Sequence, residues 1–129
     1  MHFIIGNYFM KDPWKKLLHN VKISGRRAKA MTLKRKNLEI EVEITIDDLK
    51  QIYHNQNGKC FWFDIPLDVN FILEKGNLLS MSADRIDNNI GYTKDNIVIC
   101  SRFANLGRQN CEFDKFKAII NYIKNNEKI

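Results

Sequence analysis

The sequence predicts an α+β fold in a single domain, and three observations predict it. Apolar residues recur at helical spacing near both ends of the chain. Residues 38–44 alternate strictly between apolar and polar. The stretch 82–110 reads strand, polar loop, strand, helix. At 129 residues there is room for one core.

The elements follow in order. Asp12-Pro13 is a helix start, an N-cap carboxylate followed by proline at the first helical position. Trp14, Leu17, Leu18 and Val21 make one apolar face, and Gly25 is expected to end or interrupt the helix, which resumes over 26–31. Leu38 to Ile44 reads as a strand with one buried and one acidic face. Thr45 with Asp48 three residues later is a capping-box start. The helix it opens carries Leu49, Ile52 and Tyr53 on one side and stops at Asn57-Gly58, where glycine takes a left-handed cap. Lys59 to Phe63 reads as a short aromatic strand. Phe71 to Leu73 and Leu78 to Ser82 flank Lys75-Gly76-Asn77 as a hairpin. The tail from Glu112 to Lys124 is an amphipathic helix with Phe113, Phe116, Ile119, Ile120 and Ile123 as its buried stripe.

Composition narrows the class of partner. Hydrophobic residues at 44% and charged residues at 28% describe a globular chain and argue against disorder throughout. No apolar run reaches the roughly 18–20 residues of a spanning helix, and the apolar start lacks a basic region and a small-residue cleavage site, so neither a membrane partner nor a signal peptide is expected. The net charge of +6 is uneven. Residues 1–40 hold 10 Lys/Arg against 2 Asp/Glu, whereas residues 41–129 hold 11 against 13. A basic front on a near-neutral body points to a polyanion, most often nucleic acid. The chain thus divides into a basic support region, 1–57, and a region that carries the polar motif, 58–129. Cys60, Cys100 and Cys111 are odd in number and form no C-x-x-C pair, which fits a reducing cytoplasm better than a disulfide framework.

The chemistry is concentrated between Ser82 and Arg108. Asp84 lies near the end of the first strand, beside Arg85. Asn96 opens the second strand after the Asn88-Asn89-Ile90-Gly91 turn. Asn105 and Arg108, three apart, share a face of the following helix. A carboxylate and an amide oxygen are hard ligands suited to Mg²⁺ or Mn²⁺, and Mg²⁺ commonly takes only one or two protein carboxylates. Arg85 and Arg108 would then face phosphate oxygens. Singly, each feature has a plain reading: an ion pair, a turn, a solvated charge run. In this order and spacing the functional reading is preferred.

The segment Asp84-Arg85-Ile86-Asp87, Gly91-Tyr92-Thr93, Asn96 resembles the HNH, or ββα-metal, endonuclease superfamily. It looks closest to the phage and bacterial branch with D-R-I-D in place of the usual D-H pair. The resemblance is strongest from Gly58 to Arg108, where Gly58-Lys59-Cys60 and Asp64-Ile65-Pro66-Leu67 match the opening strand and turn, and it is weaker over 13–57. It implies a ββα-metal core with N-terminal helices, an extra strand and a C-terminal helix, and metal-dependent cleavage of DNA. It also implies a catalytic set of Asp84, Arg85, Asn96 and Asn105, with Asp84 and Asn105 as metal ligands. Asn105 is in the slot of the last histidine, where phage endonuclease VII-like members also carry asparagine. Asn96 is the residue that ties the loop together, and Arg108 takes a basic position. Arg26, Arg27, Lys29, Arg85 and Arg108 become the expected DNA contacts, with Lys34, Arg35 and Lys36 in the same basic run.

Two departures from the family pattern matter. The positions that hold two C-x-x-C pairs in many members read Cys60, Phe63, Ser101 and Ala104 here, and one thiol cannot make a four-ligand zinc site, so no structural zinc is expected. Arg85 stands where most members have the general-base histidine, and arginine stays protonated. Tyr92, Ser82, His54 or metal-bound water are the remaining candidates for activating the nucleophile. Of these, Tyr92 reads first as a loop anchor and His54 as a solvated surface histidine. Asp87 reads as a turn former. The missing histidine also keeps open a DNA-binding module without cleavage, or an accessory interaction protein of a phage machine. A phage protein partner and a homodimer are both compatible with the sequence.

Overall fold

The computed structural model describes residues 11–36 and 42–126, the side chains of 29–36 excepted. Within them the chain is a mixed α+β fold. Its elements are helix α1 (Pro13–Lys36), strand β1 (Val42–Glu43), helix α2 (Ile46–Asn55), a 3₁₀ turn (Val69–Leu73), β2 (Met81–Arg85), β3 (Tyr92–Thr93), a second 3₁₀ turn (Lys94–Asn96), β4 (Ile97–Ser101), α3 (Arg102–Arg108) and α4 (Phe113–Asn125). Among these residues no helix is long and apolar enough to cross a membrane.

The helix starts follow from local chemistry. Asp12 Oδ1 accepts from the amides of Trp14 at 2.8 Å and Lys15 at 3.3 Å. Thr45 and Asp48 form a reciprocal capping box: Asp48 N donates to Thr45 Oγ1 and Thr45 N to Asp48 Oδ2. Hydrogen bonding to the carboxyl from the Thr45 backbone amide, and then from the Thr45 side chain, holds Asp48 below its ordinary value. Helix α2 ends at Asn55, and Asn57 and Gly58 then take φ of 57° and 69°. In that region glycine is free of Cβ strain.

Gly25 corrects an expectation. Helix α1 runs through it without a break, and a Cβ there would stand 2.2 Å from Val42 Cγ2. The glycine is needed for close approach of the helix to β1, which a single sequence cannot reveal. Strand β1 itself is only Val42–Glu43, paired parallel with Tyr92–Thr93; of the expected strand, residues 38–41 lie outside the described residues and Ile44 is buried beyond its end.

Two further expectations give way. Residues 59–66 are a tight loop closed by a single Lys59–Pro66 bridge, with Asp64 at φ 58°, and not a strand. Over 71–80 the expected hairpin is a 3₁₀ turn followed by further turns, and Met81 and Ser82 instead begin β2 and pair with β4. Its backbone is engaged locally: Asp68 Oδ1 accepts from Asn70 N, and Asn77 Oδ1 from Leu79 N. Such side-chain bonds compete with a strand ladder. The carbonyls of Leu78 and Ser80 are instead taken by the amides of Phe103 and Arg102, which fastens the loop to the first turn of α3.

One hydrophobic cluster runs from Leu17 and Val21 through Leu49, Ile52, Trp62, Met81 and Ile99 to Phe116 and Ile120. Strands β2 and β4 are antiparallel with Asp84 opposite Val98, and every residue of β4 is buried. The outer side of β4 is met by the side chain of Gln56. Its Nε2 donates to Ile99 O at 2.7 Å and its Oε1 accepts from Ile99 N at 2.9 Å. Helix α4 buries a narrower stripe than its pattern predicts. Phe116 and Ile120 are inside, Phe113 packs half-buried against Trp62, and Ile119 and Ile123 are exposed.

Candidate active site

The site is assembled by the β2–β4 ribbon and the helix that directly follows it. Ser101, the last residue of β4, is also the N-cap of α3, its Oγ accepting from Ala104 N at 3.2 Å. That cap turns the chain back over β2. One turn into α3, Asn105 Nδ2 donates to Ser82 Oγ at 2.8 Å and meets Ala83 O at 3.5 Å, on the two residues before Asp84. One turn further, Arg108 reaches Asp84 itself. The structure therefore brings Asp84 and Asn105 onto one short stretch of β2.

Asp84 is 5% exposed. Arg108 Nη1 stands 3.0 Å from its Oδ2, and Trp62 Nε1 donates to the same oxygen at 3.2 Å. Among the described residues, both donors go to Oδ2 and none to Oδ1. No buried side-chain polar atom among the described residues lacks a partner. Burial pushes the Asp84 carboxyl above its ordinary value, and Arg108, Trp62 and the nearby Arg85 charge offset part of that push.

Arg108 is placed differently from the expectation. It is 2% exposed, and it donates to the carbonyls of Arg85, Ile86 at 2.9 Å and Cys111 at 3.0 Å besides pairing with Asp84. Its donors are committed inside the protein, so it does not offer them to a DNA phosphate. Its aliphatic stem and guanidinium lie among Trp62 and Phe113, with ring centroids 5.7 and 5.6 Å away.

Arg85 is half-buried. Its Nη1 donates to Asn88 O at 3.0 Å and Ile90 O at 3.2 Å, and its guanidinium lies 4.8 Å from the centroid of the Tyr92 ring. Asn96 is buried and closes the same loop from the other side. Its Oδ1 accepts from Asp87 N at 2.9 Å, and its Nδ2 donates to Asp87 O at 3.0 Å and Gly91 O at 2.9 Å. Asp87 Oδ1 accepts from Asn89 N, the Asx turn its position calls for. Residues 85–96 are thus held rigidly by an arginine and an asparagine acting on backbone carbonyls.

The three side chains named as candidate bases are separated. Ser82 Oγ is the acceptor of the Asn105 amide. Tyr92 is buried with the Arg85 guanidinium over its ring, and burial raises its pKa, which keeps the phenol protonated. His54 is exposed in the last turn of α2, its ring 5.7 Å from that of Tyr53. Arg26 and Arg27 are exposed on α1, immediately after the Ser24-Gly25 contact with Tyr92; the side chain of Lys29 lies outside the described residues.

Of the four positions that compare with zinc ligands, two meet in the core: Ser101 N donates to Cys60 Sγ at 3.3 Å. Phe63 faces the ring of Phe103 at 6.1 Å. The buried Cys100 thiol is pushed well up by desolvation and stays protonated. Sequence reasoning missed Trp62 as a partner of Asp84, and it missed Gln56. Nothing in one sequence signals either contact, since the partners are 22 and 43 residues away.

Among the described residues no three His, Cys, Asp or Glu side chains are placed to hold a metal ion. The oxygen-bearing side chains the fold brings to this end of β2 are the Asp84 carboxylate and the Asn105 amide. That set fits Mg²⁺ or Mn²⁺, which complete their shells with water and substrate phosphate, and it does not fit zinc. Set against protein-family models, curated proteins and solved structures, the chain matches none.

Proposed function

We propose that this chain is a Mg²⁺- or Mn²⁺-dependent DNA endonuclease with an HNH-like ββα-metal site on β2, β4 and α3. The observation that carries the reading is that Asn105 packs on Ser82 and Ala83, the two residues before Asp84, beside a loop braced by Asn96. Asp84 and Asn105 would hold the ion, which when bound supplies charge stabilisation at the scissile phosphate. Arg108 and Trp62 keep the Asp84 carboxylate in place. Arg85 fixes the loop and adds positive charge beside the site, and the exposed Arg26 and Arg27 hold the DNA backbone without reading sequence. Ser82 carries the Asn105 amide and Tyr92 stays a protonated phenol, so neither is the base that activates the attacking water.

The test is plasmid nicking with Mg²⁺ or Mn²⁺, beside Asp84→Ala. Cleavage by the wild type and its loss in the variant support the reading; equal inertness over supercoiled, linear and branched DNA sinks it. A second reading, DNA binding without cleavage, is favoured by one observation, the commitment of Asp84 Oδ2 to Arg108 and Trp62. DNA retention that is unchanged by EDTA, with no cleavage, would select it.

A further inference from the structure

We propose that Trp62 and Arg108 are positioning residues for Asp84: together they clamp the carboxylate by Oδ2 and so present Oδ1 to the metal. The inference rests on the metal-site reading above and adds to it a residue outside the 82–108 motif.

Trp62 comes from the tight loop between Cys60 and Pro66 and is 2% exposed. Its ring is fixed by three aromatic neighbours, Phe61, Phe113 and Phe116, with centroids 5.0, 4.9 and 4.8 Å away. For packing alone a phenylalanine would serve. The indole adds one polar group, a buried N–H that needs an acceptor, and it is aimed at Asp84 Oδ2 at 3.2 Å. Arg108 approaches the same oxygen from α3 at 3.0 Å and is itself held by three backbone carbonyls. Two donors from two separate elements, each immobilised by its own contacts, therefore converge on a single oxygen. The carboxylate is held through Oδ2, and Oδ1, to which none of the described residues donates, is the oxygen left for a ligand. A metal ligand held this way needs no reordering when the ion arrives, and loss of such a supporting partner typically weakens metal affinity about 10–100-fold.

The experiment measures Mn²⁺ binding by electron paramagnetic resonance on wild type, Trp62→Phe and Asp84→Ala, with circular dichroism melts as the fold control. The expected result is that wild type binds, Asp84→Ala does not, and Trp62→Phe folds but binds about tenfold or more weakly. Equal binding by wild type and Trp62→Phe overturns the clamp while leaving the metal-site reading intact. No binding by wild type, or equal binding by Asp84→Ala, overturns both.

A second readout uses the unaltered chain and keeps the proposal testable if Trp62→Phe fails to fold. The chain has two tryptophans, Trp14 and Trp62, so their two indole N–H resonances are readily told apart by nuclear magnetic resonance. Titration with Mg²⁺ should move the Trp62 resonance in step with binding and leave that of Trp14 in place. A Trp62 resonance that stays fixed while Mg²⁺ saturates the protein overturns the clamp.

Discussion

Replacing Arg108 by methionine should come close to unfolding the protein. Methionine keeps much of the stem that packs on Trp62 and Phe113 but removes every donor. The Asp84 side chain, 6% exposed, is then a buried carboxylate without its cation. Breaking a buried pair from one side costs about 3–5 kcal/mol, because the surviving charge has lost its counter-charge and keeps only the Trp62 N–H on Oδ2. The carbonyls of Arg85, Ile86 and Cys111 lose their donor as well. Ile86 and Cys111 are half-buried, so water recovers part of that loss. The total is about 5 kcal/mol, against a typical domain stability of about 5–15 kcal/mol. Urea unfolding followed by tryptophan fluorescence gives the number directly, since Trp62 lies against the guanidinium. The double variant with Asp84→Asn should lose clearly less than the two single variants added together, because the orphaned charge is gone. A loss below about 1 kcal/mol for Arg108→Met is the size of an exposed pair and would refute the argument.

Three other predictions follow from separate parts of the molecule. Gly25→Ala should destabilise the fold although alanine gains about 1 kcal/mol of helix propensity, because the 2.2 Å contact with Val42 forces a backbone shift worth about 1–3 kcal/mol; a thermal melt at or above wild type would contradict the close approach. Asp48 has a lowered pKa in the folded chain, so its stabilising effect is present above the ordinary aspartate value and fades as pH falls through the lowered one. Asp48→Asn should therefore be less stable than wild type near neutrality and converge with it in strong acid, as thermal melts against pH would show. The pair Arg26→Ala and Arg27→Ala should weaken DNA binding alike on unrelated sequences and reduce the salt slope by about 2, measured by fluorescence anisotropy over a range of salt; an unchanged slope removes these residues from the interface.

The parts of the fold legible in the sequence are those set by neighbours in the chain. Asp12-Pro13, the Thr45–Asp48 box and Asn57-Gly58 are helix boundaries made by residues within four positions of each other, and the structure has them. The strand–loop–strand–helix order of 82–108 was legible for the same reason. What the sequence hid depends on distant partners. Gly25 reads as a breaker until Val42 is seen beside it, and the hairpin pattern over 71–82 loses to amides at the start of α3. The candidate site shows the same division. Spacing by three places Asn105 and Arg108 on one face of α3, but it cannot say what that face meets. Only the fold shows Asn105 meeting β2 at Ser82 and Arg108 buried against Asp84.

The amide of Gln56 has a consequence for association between molecules. A two-stranded ribbon leaves each strand with an outer row of N–H and C=O groups, a template on which another chain can add a strand. On β4 the middle of that row is already taken: Gln56 occupies both backbone groups of Ile99, and Phe61 N shares the same carbonyl. Gln56 acts there as a one-residue surrogate strand that caps the ribbon from within the same chain. Replacing it by leucine would keep the bulk but strip the Ile99 N–H of its acceptor, leaving the Phe61 amide and the Cys60 thiol as the remaining cover of that edge.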